Sequence, residues 1–183
     1  MKTLLHVCCA VCGAGAIEEL MKDSEVILFF SNSNIFPKDE FEKRLENAKK
    51  ISEIYGLELV ADEYDHDGWL DFIKGLESEP EKGKRCLKCF EFNLRKTAEK
   101  AKDLKIENFT TTLTISPHKD SKKIFDIGKK VAYEEGVNFL EKDFKKNDGF
   151  KKSNELSKKH NLYRQNYCGC EFSFKRSIAS PNE

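Results

Sequence analysis

No stretch of this 183-residue chain approaches the ~18 to 20 consecutive apolar residues needed to cross a bilayer. Its N-terminus offers one lysine and then only about five apolar-leaning residues, too few for the core of a secretory signal. These absences predict a cytoplasmic protein with no membrane partner. A Gly-rich phosphate loop, a G-x-G-x-x-G fingerprint and an H-E-x-x-H helix are also missing, which excludes their chemistries. There is no internal repeat, low-complexity tract or clear linker. Net charge is lacking too: 32 Lys and Arg balance 32 Asp and Glu, so the average charge gives no pull toward nucleic acid.

The average hides a lopsided distribution. Nine acidic residues face one lysine, Lys74, between Glu58 and Glu81, whereas Glu141 to Arg164 holds eight Lys or Arg against four Asp or Glu. The basic end can carry a polyanion; equally, both stretches can be ordinary solvated faces. An apolar content of 39% supplies the core of one domain, set at 1–176, and leaves 177–183 as a frayed tail.

What the sequence does have is cysteine. Seven, at 8, 9, 12, 86, 89, 168 and 170, fall in three tight groups. In a reducing compartment grouped cysteines bind metal or do redox work more often than they staple a fold. C-C-x2-C at 8–12 and C-x2-C at 86–89 each open a helix, where free amides lower thiol pKa and favour anionic sulfur. Five thiolates suffice for a tetrahedral zinc or a cubane iron–sulfur cluster, and plain redox or core thiols stay open as well. The G-A-G after Cys12 is expected to let its helix approach the metal closely. Cys168-Gly169-Cys170 closes a small strained ring if oxidised, which suits electron relay; the alternative is two further metal ligands.

Periodicity places these groups on an α/β frame. Strands are read at 3–7, 26–31 (VILFFS), 57–61 and 108–116, with helices at 14–21 and 39–55, one after the 86–89 pair, and one capped by Asp120. Trp69, Leu70, Phe72 and Ile73 pin a short helix or lid in the acidic stretch. The order β-α-β-α-β predicts a doubly wound parallel sheet whose carboxyl-end loops converge: 8–12, NSNIFP, 62–67 and 116–119. His6 reads as a satisfied core imidazole. His118, in S-P-H-K, can touch substrate or a phosphate beside Lys119.

HVCCAVC at 6–12, LFFSNSNIFPKDEFEKR at 28–44, CLKC at 86–89, TTLTISPHK at 111–119 and DGFKKSNELSKKHNLYRQNYCGCEFS at 148–173 together resemble the QueH family of epoxyqueuosine reductases over essentially the whole chain. Val11 departs from the proline usual there, which leaves ligand identity untouched. The resemblance implies a Rossmann-like, PP-loop/HUP-like layer with a cysteine-rich, mostly helical C-terminal part, and CCAVC in place of the phosphate loop. It implies a two-electron reduction of epoxyqueuosine to queuosine at the wobble position of tRNA, with an electron donor it does not identify. Cys8, Cys9, Cys86 and Cys89 would hold a [4Fe-4S] cluster, Cys168 and Cys170 would be the redox-active pair, and Cys12 is a candidate ligand of an additional mononuclear iron, a Lewis acid toward the epoxide oxygen. Asp65, Asp67 and His118 are candidate proton donors. Lys119, Lys151, Lys152 and Arg164 are candidate phosphate contacts, and Tyr163 or Tyr167 a candidate stacking platform for the base. A zinc-stabilised RNA-binding module and a thiol–disulfide oxidoreductase are the competing readings; neither uses all three cysteine groups.

Overall fold

The computed structural model describes residues 1–179. Five parallel strands form one sheet in the order β3-β2-β1-β4-β5: β1 Lys2–His6, β2 Glu25–Phe30, β3 Leu59–Ala61, β4 Asn108–Thr111 and β5 Asn138–Phe139. Every residue of β2 after Glu25 is buried, as expected of a strand covered on both faces. Successive side chains of a strand point to opposite faces. Leu5 and Val7 accordingly join α1 (Ala10–Leu20), α2 (Lys38–Tyr55) and α6 (Gly149–Lys159) in one core, whereas Leu4 and Phe29 join α4 (Lys84–Asp103) and α5 (Ser121–Glu135) in the other. A third cluster lies under α3 (His66–Phe72), where Trp69 and Ile73 are fully buried, pinning the acidic stretch as the sequence predicts.

Two element boundaries differ from the sequence reading by more than two residues. Strand β4 ends at Thr111, and 112–115 form a 3-10 turn instead of continuing the strand to 116. Its β-branched run looks like strand, but the Thr111 hydroxyl accepts the Leu113 amide and caps the turn, diverting Thr112 toward the cysteines. Helix α1 starts at Ala10 rather than 14, because the Cys9 side chain caps it by accepting the Cys12 amide at 3.4 Å. The final helix α7 (Glu171–Ala179) takes in the first three residues of the expected tail; 180–183 lie outside the described residues.

Gly15 of α1 serves helix packing. A Cβ on Gly15 would collide with the Ser153 hydroxyl of α6 and reach the Gly149 carbonyl at 3.2 Å, and the Gly15 amide donates to Ser153 Oγ at 3.1 Å. Gly13 would meet only ordinary contacts with Val7, Ile51 and Ile17. From the central strand β1 the chain passes to β2 on one side, and later returns to β4 on the other. The crevice at such a reversal, beyond the carboxyl ends of the strands, is where open α/β sheets bind ligands.

Candidate active site

Cys8, Cys9 and Cys12 emerge from β1 into that crevice, and their sulfurs lie within 4.8 Å of one another. Thiols this close share protons. Cys9 is held well below an ordinary thiol by hydrogen bonds from Cys12 and Cys8, while bonding to Cys8 and Cys9, with burial, raises Cys12. In the trio Cys12 draws Cys8 down, but its bond to Cys9 and its burial together push it up to about 12. The trio therefore favours one thiolate held by two thiols, and a metal ion taken up there displaces the remaining protons. Three sulfurs at this spacing suit a single metal ion.

The second pair sits on α4. Cys86 lies in the first turn and Cys89 one turn on. The helix start does not lower these thiols as the sequence suggests. Burial raises Cys86 against the Lys82 amide, which donates to its sulfur at 3.2 Å, and raises Cys89 further. The charges of Cys168 and Cys170 add to both shifts, so the C-terminal pair faces the α4 pair. Cys89 and Cys170 both pack on the cluster of Trp69, Ile73 and Phe92.

The four sulfurs expected to ligate a cluster have a common feature: each receives a hydrogen bond. Thr112 Oγ1 donates to Cys8 at 3.2 Å, the Cys12 amide to Cys9 at 3.4 Å, the Lys82 amide to Cys86 at 3.2 Å, and Asn93 Nδ2 lies 4.0 Å from Cys89. Trp69 Nε1, fully buried and with no hydrogen-bond partner among the described residues, also favours the ionised form of Cys89. Donors fixed around sulfur stabilise metal-bound thiolate. Cys170 is different. It donates, to Ser173 Oγ at 3.5 Å.

Lys119 is half-buried beside the sulfurs. Its desolvation is outweighed by Cys168, Cys8, Cys12 and Cys9, which raise it, so the ammonium faces the cysteines as a counter-ion. The three proton-donor candidates are exposed: Asp65 caps α3 by accepting the Gly68 amide at 2.9 Å, Asp67 lies in its first turn, and the His118 amide donates to Ser116 Oγ at 3.3 Å. Between the two aspartates is a group that the sequence reading passed over. His66 stacks on Trp69 at 5.4 Å, its Nδ1 is 2.8 Å from the Ser33 carbonyl, and its Nε2 is 3.6 Å from Glu171, next to Cys170. Its position in the 62–67 loop was the available signal. His6 is buried as expected, 2.9 Å from Thr111 Oγ1 and 3.2 Å from the Ser31 carbonyl, and burial lowers it to about 4.

Arg44 was also missed. Its side chain is buried, bonds Glu40 at 2.7 Å, and donates to the carbonyls of Cys168 at 2.9 Å and Tyr167 at 3.3 Å. Outside this anchor an open groove of about 330 Å³ is lined by Pro37, Glu40, Lys43, Tyr163, Tyr167 and Phe174. Tyr163 donates to Glu40 at 3.0 Å with Lys43 over its ring, and Tyr167 lies under Arg44. Lys151, Lys152 and Arg164 are exposed, the first two on α6.

With this geometry in place, comparison decides the family. The family model of epoxyqueuosine reductase QueH matches residues 3–176. The chain belongs to that family. It is 40% identical to the epoxyqueuosine reductase QueH of Streptococcus pyogenes serotype M1 over 181 residues, 94% of this chain and 70% of the relative. Against the Thermotoga maritima protein of the same name it is 39% identical, covering 93% of this chain and 88% of the relative. The Helicobacter pylori relative is 36% identical over 190 residues, and this chain spans about half of its length. The match takes in all seven cysteines. Among the described residues no helix is long and apolar enough to cross a membrane.

Proposed function

We propose that the chain reduces epoxyqueuosine in tRNA to queuosine, in a two-electron deoxygenation. The observation that carries this reading is the set of donors around the cysteines: four sulfurs receive hydrogen bonds from Thr112, the Cys12 and Lys82 amides and Asn93, as thiolate ligands do, while Cys170 gives its proton to Ser173. We assign Cys8, Cys9, Cys86 and Cys89 to a [4Fe-4S] cluster and Cys12 to a separate mononuclear iron. The close trio supports metal binding at this end, and the donors around Cys86 and Cys89 support extending it to α4. The parallel sheet is then a Rossmann-like layer with CCAVC where PP-loop enzymes carry a phosphate loop.

A cluster, when bound, supplies electrons one at a time. The remaining chemistry belongs to side chains. Closing one S–S bond between Cys168 and Cys170 releases two electrons and two protons, which balance the conversion of an epoxide to an alkene and water. Lys119 offers positive charge where oxyanion charge develops, and His66 stands 3.6 Å from Glu171, the neighbour of Cys170 in the chain. Asp65, Asp67 and His118 remain the solvent-side candidates for protonating the oxygen. Lys151, Lys152 and Arg164 would hold anticodon-arm phosphates, and the aromatic walls at Tyr163 and Tyr167 would receive the extruded base.

The test is anaerobic purification with iron, zinc and acid-labile sulfide analysis, followed by turnover of tRNA carrying epoxyqueuosine with dithionite as reductant. About four iron and four sulfide per chain, plus up to one further iron, is the composition expected for this cofactor set. One zinc, no sulfide and no turnover after reconstitution would replace the reductase with a zinc-bound RNA module. Turnover that survives metal removal would favour a thiol oxidoreductase.

A further inference from the structure

The Cys168-Gly169-Cys170 hairpin is fixed more completely than a loop between two elements requires. Four successive carbonyls each accept a hydrogen bond: Tyr167 from Arg44 Nη2 at 3.3 Å, Cys168 from Arg44 Nη1 at 2.9 Å, Gly169 from the Phe36 amide at 2.8 Å, and Cys170 from both Ser173 Oγ and the Phe174 amide at 2.9 Å. Ser173 Oγ also takes the Gly169 amide at 3.3 Å and the Cys170 thiol at 3.5 Å. The Tyr167 hydroxyl returns to the Phe36 carbonyl. Gly169 stands at φ +145°, and a Cβ there would come within 3.2 to 3.3 Å of Arg44, Asn34 and Ile35. Arg44 itself is 2% exposed and paired with Glu40, so the anchor is rigid.

The two cysteines of this hairpin occupy different surroundings: Cys168 is exposed, and Cys170 packs against the Trp69 cluster. A disulfide fixes the Cβ atoms about 3.5–4.5 Å apart, and any turn of the peptide units between them works against the four anchored carbonyls. It also abolishes the Cys170–Ser173 bond, because a disulfide sulfur has no proton to give. The lost bond weighs against the disulfide and in favour of the dithiol, and the anchored backbone resists leaving the reduced geometry.

We infer that Arg44 and Ser173 are positioning residues that hold the Cys168/Cys170 pair in its dithiol form, keeping two electrons and two protons stored until substrate accepts them. The inference rests on the reading of Cys168 and Cys170 as the redox pair. The step is two thiols to one disulfide with loss of two electrons and two protons; in the test the oxidant is glutathione disulfide, which is reduced to two glutathione thiols. Stabilising the reduced form raises the reduction potential of a dithiol pair.

The experiment equilibrates the anaerobically purified, metal-containing protein in glutathione buffers of graded ratio, quenches with acid and alkylates. Mass spectrometry of the tryptic peptide 165–175 then gives the fraction oxidised. Ser173→Ala should shift the equilibrium constant toward disulfide by about two- to ten-fold, the scale of one net hydrogen bond. Arg44→Lys, which keeps the charge but loses the fork, should shift it in the same direction. An unchanged midpoint in both variants, even with a lowered melting temperature, overturns the inference and leaves the redox pair standing. A wild-type protein that forms no Cys168–Cys170 disulfide at any ratio overturns both.

Discussion

The Thr112 hydroxyl meets Cys8 twice, accepting its amide hydrogen at 3.0 Å and donating to its sulfur at 3.2 Å. The first bond fixes the chain where it leaves β1, and the second gives the sulfur a donor. Thr112→Val preserves shape and removes both. Metal affinity should fall about 10- to 100-fold, the usual cost of losing a partner behind a ligand, whereas Thr112→Ser should retain it. Competition with a chelator checks this; retention unchanged in the valine variant would place Cys8 outside the metal site.

Trp69 tests the other side of the centre. Its indole N–H has no hydrogen-bond partner among the described residues and favours ionised Cys89. Donors to sulfur raise the potential of an iron–sulfur centre. Trp69→Phe keeps the buried aromatic surface and should therefore lower the midpoint in a dye-mediated redox titration followed by visible absorbance. An unmoved midpoint would mean that the indole only fills space.

Much of this was readable in one sequence, and the exceptions have physical causes. VILFFS announced a doubly covered strand, steps of three and four announced α2, and Asp120 announced α5, which it caps by accepting the Lys122 amide at 2.9 Å. These are local signals, carried by neighbours in the chain. Arg44 left no such trace, because a single arginine on an amphipathic helix looks solvated until its partner 124 residues away is in place. The nearness of Lys119 to sulfur was hidden for the same reason: only the fold sets it beside the cysteines. Thr112 hid inside a β-branched run whose strand character stopped one residue earlier. The grouping of seven cysteines was visible in spacing, but the partners that distinguish Cys170 from the others, the donors Asn93, Thr112 and Lys82 and the acceptor Ser173, lie on four different segments.

The basic helix yields a prediction about affinity that is separate from chemistry. Lys151 and Lys152 are exposed on α6. If each neutralises one phosphate, replacing both with glutamine lowers the salt dependence of tRNA binding by roughly two units of slope. Electron uptake from dithionite should be unchanged, because neither lysine is among the groups that act on the sulfurs. Binding measured by fluorescence anisotropy from low to moderate salt gives the slope; an unaltered slope moves the RNA face elsewhere.

That face depends on how α6 is seated. Gly15 lets α1 and α6 come close enough for its amide to donate to Ser153 Oγ at 3.1 Å, and a methyl group there runs into the same hydroxyl and toward the Gly149 carbonyl at 3.2 Å. A helical glycine usually costs stability relative to alanine, so Gly15→Ala should help by propensity alone. Overpacking a close interface costs about 1–3 kcal/mol, which exceeds that gain. The net result is destabilisation, read as a lower denaturation midpoint. Adding Ser153→Ala removes the nearest obstruction but not the carbonyl, so it should recover part of the loss and not all of it. If Gly15→Ala proves neutral or stabilising, the two helices are less tightly joined than their contacts require.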